Sequence, residues 1–346
     1  MSLPPVSETK SPSWKQAYRM RWRRRGLLWR SWRSRHQLFA LVDRTAHISQ
    51  GDILLVVVLR NENIRLPHFL SHYRELGVDH FLVVDNGSED GGAEYLSQQQ
   101  DTSVWQTKSS YHVSRFGLDW LTWLQMRYAH NHWCLTVDAD ELLVYSGDAQ
   151  HDLRDLTNWL DTRGQSGFGA LMLDLYPKGP LDQQEYSAGQ DPREVLGWFD
   201  DGPYRVTRQQ PLGNLWVQGG VRERAFFTKH PRRSPTLNKM PLVRWNRRWA
   251  YVNSTHSLLP AGMNHLYDGP GGSEPSGVLL HTKFLPGIVS RSEIEKQRRQ
   301  HFHKPQDFDH YYDCLSQAPD LWHAGSQKLM GSDQLAELGL MRTPDW

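Results

Sequence analysis

The sequence predicts an α/β protein: a mostly parallel, twisted sheet with helices on both faces, then a loop-rich half and a helical C-terminus. Three observations carry that expectation. Apolar runs such as ILLVVVL (53–59) and FLVVD (81–85) are continuous rather than alternating, as in strands buried on both faces. Segments of helical periodicity separate them, which gives the strand–helix–strand rhythm of a parallel sheet. The runs also end in acids and amides, at the edge where open α/β sheets bind ligands.

Composition sets the limits. With 346 residues and 38% hydrophobic content, the chain can bury one large core with an appendage, or two domains, which excludes disordered and fibrous classes. Two cysteines, Cys134 and Cys314, form no disulfide framework and no metal-binding spacing, and fit a reducing compartment. No apolar run approaches the ~18–20 residues of a spanning helix, and the N-terminus has no secretory apolar region. The expectation is a cytoplasmic protein, soluble or peripheral on the inner face of the membrane.

Residues 1–42 stand apart. They hold ten basic residues against one acid, a net +9 in a chain of net +2, so the remainder carries −7. Trp14, Tyr18, Trp22, Trp29 and Trp32 recur at helical intervals near one face, with arginines around them. That is the pattern of an interfacial helix over residues 14–35 on an anionic membrane. The plainer alternative is a basic helix packing its Trp face on the domain; an Arg-rich transit peptide is a third. Phosphate binding does not require aromatics on a shared face, so no nucleic acid is expected.

After the strand at 53–59, residues 66–76 place apolar side chains at Leu66, Phe69, Leu70, Tyr73 and Leu76, with Pro67 in the first turn and Gly77 past the end, a bounded helix. The strand at 81–85 follows. A helix at 92–99, a short strand near Val104, a helix at 117–130 and a strand at 134–137 continue the alternation. FGALMLDLY (168–176) reads as a strand and 177–220 as long loops. VLLHTKFL (278–285) restores regular structure before a helix from Arg291, whose Ser290 and Glu293 have capping-box spacing. Segments 307–316 and 332–341 read as helices.

The strand ends converge on an acidic rim: Arg60, Asn61 and Glu62; Asp85 and Asn86, opening into a Gly-Ser loop; then Asp138, Asp140 and Glu141 within WCLTVDADELLV. Asp138 and Asp140 are two apart, so continued extended geometry puts both carboxylates on one face. Paired hard oxygens suit Mg²⁺ or Mn²⁺ carrying a diphosphate, whereas an exposed Asp-rich turn is the bland reading. His281 is either a core histidine or an imidazole ligand favouring Mn²⁺. Asp85 either accepts hydrogen bonds from a base or ribose, or caps the next helix.

These pieces together resemble family-2-type glycosyltransferases of the GT-A fold, in the bacterial branch: VVVLRNEN, ELGVDHFLVVDNGSEDGG, VDADELLV, LDLYPKGP, GGVRERAFF with LNKMPLVRW, and LLHTKFL before a basic helix. The match runs from about Ile53 to Tyr312. It implies a basic extension (1–42), a catalytic domain (51–290, with a nucleotide half at 51–145 and an acceptor half at 168–290) and C-terminal helices (291–346). It also implies that Asn61, Glu62, Asp85 and Asn86 line a nucleotide-sugar pocket, with Asp138 near ribose or metal. Asp140 would be the main metal contact, His281 would complete the coordination, and Arg222 and Lys239 would face diphosphate or acceptor. The donor would be a UDP-linked or related nucleotide sugar, and the acceptor a glycan, lipid-linked or other hydroxyl. Inversion requires a base, for which Glu223, Asp200 and Asp174 are candidates. Competing functions are a sugar nucleotidyltransferase, although RNENIRLP lacks the expected glycines, and an inactive nucleotide-sugar or membrane-associated binding module.

Overall fold

A computed structural model of the chain describes residues 13–289 and 309–346. Helix α1 (Trp14–Ser34) is closed at its start by a capping box between Ser13 and Gln16, and leads to strand β1 (Phe39–Val42). The expected alternation follows: β2 (Leu54–Leu59), α2 (Leu66–Glu75), β3 (His80–Asp85), α3 (Gly92–Ser97), β4 (Thr102–Gln106), α4 (Leu118–Tyr128) and β5 (Trp133–Thr136). Then come β6 (Glu141–Val144), α5 (Leu153–Thr162) and β7 (Gly167–Asp174).

The segment read as loops holds a short helix, α6 (Pro192–Val195), strand β8 (Trp198–Phe199), and a hairpin of β9 (Tyr204–Arg208) and β10 (Leu215–Gly219), followed by α7 (Gly220–Phe226). Its strands are short; β8 has two residues, β9 alternates buried or half-buried with exposed polar side chains, and β10, though mostly buried, carries Gln218 and Gly219, so no continuous apolar run marks them. Strands β11 (Asn238–Arg244), β12 (Ala250–Tyr251), β13 (Leu258–Leu259) and β14 (Ser276–His281) precede the helices Asp309–Ser316 and Ser332–Glu337. The helix expected from Arg291 lies outside the described residues. No described helix is long and apolar enough to cross a membrane.

Nine strands form one mixed, mostly parallel sheet in the order β1-β4-β3-β2-β5-β11-β7-β14-β6. Strands β4, β3, β2, β5, β7 and β14 run the same way; β1, β11 and β6 pair antiparallel to their neighbours. Every residue of β2 and β3 is buried, so both faces of the sheet centre are covered, as their unbroken apolar runs require. From β2 the chain moves outward to β3 and β4, then returns to β5 on the other side. That reversal places the switch point of the open sheet at the carboxyl ends of β2 and β5, where such sheets bind ligands.

Gly117 packs beside this switch point. It starts α4 at φ 77°, and a Cβ there would lie 2.6 Å from Val58 Cγ1, so only glycine lets the turn reach β2.

Candidate functional site

The parallel strands deliver polar side chains to one rim. β3 ends at Asp85, level with Leu59 of β2. β14 ends at His281, whose register partners are Asp174 of β7 and Glu141 of β6. β11 runs the other way and brings its first residues, Asn238 and Lys239, to the same edge.

His281 is the centre. Its Nδ1 lies 2.5 Å from Asp174 Oδ1 and its Nε2 3.1 Å from Asp140 Oδ2. Burial works to lower the imidazole pKa, but the Asp140 and Asp174 carboxylates outweigh it and hold the pKa above the usual value. Burial also acts to raise the Asp140 carboxyl, which His281 nevertheless holds well below the ordinary range. Behind Asp174, Arg222 Nε donates at 2.7 Å, and both side chains are almost fully buried. Arg222 is therefore a buried partner of Asp174 rather than a cation facing a diphosphate.

A second cluster surrounds Lys239. Its ammonium lies 3.0 Å from Asp138 Oδ2 and 2.8 Å from Glu141 Oε1. Although desolvation opposes charge, these carboxylates raise the pKa of the buried lysine and keep it ionised. Burial pushes Glu141 up to about 7 against the pull of Lys239. Lys239 is thus an internal counter-charge for the rim.

The expected pairing of Asp138 with Asp140 is not the observed geometry. β5 ends at Thr136 and the chain turns before β6, so the extended alternation stops and the two carboxylates take different partners. Among the described residues, no three His, Cys, Asp or Glu side chains group closely enough to hold a metal. Asp140 and His281 supply two groups of a kind that could hold a Mg²⁺- or Mn²⁺-type ion, which would need its other ligands from elsewhere. The Asp174–Nδ1 contact is the carboxylate support expected behind a ligating imidazole. If Nδ1 donates to Asp174, a neutral ring turns a lone pair toward Asp140; a proton or a cation must lie between them.

Two residues missed in the sequence hold this pair in place. Thr282 donates to the Asp140 carbonyl from its backbone N–H at 2.7 Å and from its hydroxyl at 3.0 Å. Arg65 Nη1 in turn donates to Thr282 O and Oγ1, and Arg65 is paired with Glu62 at 2.8 Å. Glu62 therefore reaches the Asp140–His281 pair through an arginine. An isolated Arg and Thr gave no signal of this clamp.

The residues expected on the nucleotide side hold together the loops after β2 and β3. Buried Asp85 accepts from the backbone N–H groups of Gly87 and Ser88 and from Gln106 Nε2. It shapes its own loop; it does not cap α3, whose N-cap is Gly91. Asn86 Nδ2 donates to Thr107 O and Ser109 O. Asn61, at φ 54°, accepts from Glu89 N through Oδ1 and donates its backbone N–H to Ser88 Oγ, tying the two loops together. The remaining base candidates lie elsewhere. Asp200 accepts from Tyr176 Oη and is paired with Arg224 at 2.8 Å. Glu223 is forked to Arg205.

No family model matches the chain, and no curated protein matches it. Among solved structures, the crystal structure of 4-diphosphocytidyl-2C-methyl-D-erythritol synthase is similar over 41% of this chain and 67% of its own, with 16% identity and a TM-score of 0.25. So low a score carries no argument about this chain.

Proposed function

We propose that the chain is a metal-assisted glycosyltransferase that moves a sugar from a nucleotide-sugar donor, UDP-linked by resemblance, to an acceptor hydroxyl. The observation that carries this reading is the Asp140–His281 pair, backed by Asp174, at the carboxyl rim of a mostly parallel sheet. Asp140 and His281 would hold the divalent ion, which supplies Lewis-acid stabilisation of the departing diphosphate. Asp174 fixes the imidazole orientation, and the Arg65–Thr282 clamp sets the position of Asp140. Lys239 offsets Asp138 and Glu141, so an anionic donor meets a partly neutralised rim.

An inverting reaction needs a carboxylate to accept the acceptor proton. Asp174 is committed to Arg222 and His281, and Asp200 to Tyr176 and Arg224. Glu223 is our choice, because its side chain is the most exposed of the three, 16% against 3% for Asp174 and 5% for Asp200. A thermal-unfolding screen of nucleotide sugars with and without Mn²⁺ tests the reading. Joint binding stabilises the fold with occupancy, by about 2.7 kcal/mol at a ligand concentration 100 times Kd. Release of the nucleoside diphosphate should accompany it. No stabilisation by any nucleotide sugar with Mn²⁺ would reject the reading. Pyrophosphate release from a nucleoside triphosphate and a sugar phosphate would replace it with nucleotidyl transfer.

A further inference from the structure

Helix α1 has two opposed faces. Met20 packs in a small apolar cluster with Leu212, Val252 and Leu259, and Leu27 lies against it. Further along, Ser31 and Ser34 are buried, Ser34 Oγ donates to Asp119 O, and Arg30 is paired with Asp119 at 3.1 Å. On the opposite side, Trp14, Trp22, Trp29 and Trp32 are 75, 53, 54 and 45% exposed, and Tyr18 is 56% exposed. At 3.6 residues per turn these five side chains fall within an arc of about 80°, roughly opposite the docked face. The helix is therefore anchored to the domain by its sparse apolar side and offers its aromatic side to the surroundings.

The charges around that stripe define what it can meet. α1 contains Lys15, seven arginines and no acid, and among the described residues only Arg30 of these has an ion-pair partner. Arg25 stacks over Trp22 at 5.0 Å, and Arg33 over Trp29 at 4.8 Å. Indoles in this setting suit the boundary between headgroups and acyl chains, with guanidinium groups level with lipid phosphates. Nucleic acid would use the arginines but not the row of indoles along one face.

We propose that the exposed face of α1 is a docking surface for an anionic phospholipid bilayer, holding the protein at the membrane with α1 in the plane of the interface. Insertion of the aromatic row and attraction of the unpaired cations act together; each cation near such a surface contributes about 1 kcal/mol. Binding is therefore expected to require anionic lipid and to weaken with salt. The proposal stands independently of the reaction catalysed.

Co-sedimentation of the full chain with phosphatidylglycerol-rich vesicles and with pure phosphatidylcholine vesicles tests it, with a duplex oligonucleotide as a parallel probe. The expected result is binding to the anionic vesicles alone. A variant carrying Trp14→Gln, Trp22→Gln and Trp29→Gln should lose more than ~10-fold in vesicle affinity with a melting temperature close to wild type, since these side chains lie opposite the docked face and, among the described residues, stack only on other residues of α1. A second variant, Arg21→Gln, Arg25→Gln and Arg33→Gln, should lose both affinity and salt dependence. Wild-type affinity in the well-folded Trp variant, equal binding to neutral vesicles, or binding to the oligonucleotide without vesicle binding would each overturn the proposal.

Discussion

At the scale of single residues, neighbouring carboxylates carry separable roles. Asp140 is partly exposed and paired with His281, so Asp140→Asn should abolish Mn²⁺-dependent donor hydrolysis; the charge lost from this pair lowers stability as well, by less than loss of the more deeply buried Asp174. Asp174→Asn removes the buried counter-charge of Arg222, and breaking such a pair costs about 3–5 kcal/mol; a urea titration should show that loss directly. His281→Ala should weaken Mn²⁺ binding by ~10–100-fold in calorimetry, the usual scale for damage to a metal site, with a smaller change in metal-free melting. A histidine variant that binds Mn²⁺ normally but melts much lower would assign His281 to the core. The acids of VDADELLV and the histidine of LLHTKFL were visible in the sequence as a candidate site. What could not be read was the turn after Thr136, which separates Asp138 from Asp140, or the long-range contacts that give Asp138 to Lys239 and Asp174 to Arg222.

At the scale of elements, β2, α2, β3 and α4 were legible because continuous apolar runs, Pro67 and Gly77 are local signals. β11 was not. It lies between β5 and β7 although it contains Pro241, a residue that argues against a central strand. The ladder to β7 shifts register between Lys239 and Leu242, which accommodates the missing N–H and leaves Lys239 at the rim. Gly117 makes a local demand with a measurable cost. Gly117→Ala would combine a positive φ with a Cβ placed against Val58, and strain of this kind costs on the order of 1–3 kcal/mol before any clash is added. The expected outcome is a lowered urea midpoint together with weakened nucleotide-sugar binding, because Val58 immediately precedes the end of β2. A variant as stable as wild type would show that the turn can move away from β2.

Across the whole molecule, partly buried neutral histidines set the response to acid. Burial holds His72 down to about 4 and His256 down to about 3, both below the unfolded value of about 6.5. As pH falls below 6.5 the unfolded chain takes up protons that the folded chain refuses, so each histidine withdraws about 1.4 kcal/mol per pH unit. Glu141, raised to about 7, acts in the opposite sense between its unfolded value near 4.5 and that point. The two histidines outweigh the one carboxyl, and His68 and His80, also pushed down by burial, act with them, so stability should fall as pH drops from about 6.5 towards about 4.5, and His72→Gln should flatten the slope in urea titrations. The edge strand β1 has a practical consequence for protein engineering. It covers the outer side of β4 by antiparallel pairing, and α1 covers part of α4. A chain shortened to begin at residue 43 would leave a raw sheet edge, with backbone donors and acceptors open to another copy. Light scattering should find that shortened chain self-associating, whereas the full-length surface variants stay monodisperse. Sedimentation of clumped protein could then masquerade as attachment to vesicles, so clipping the basic segment is a worse assay of its stickiness than repainting its outer face.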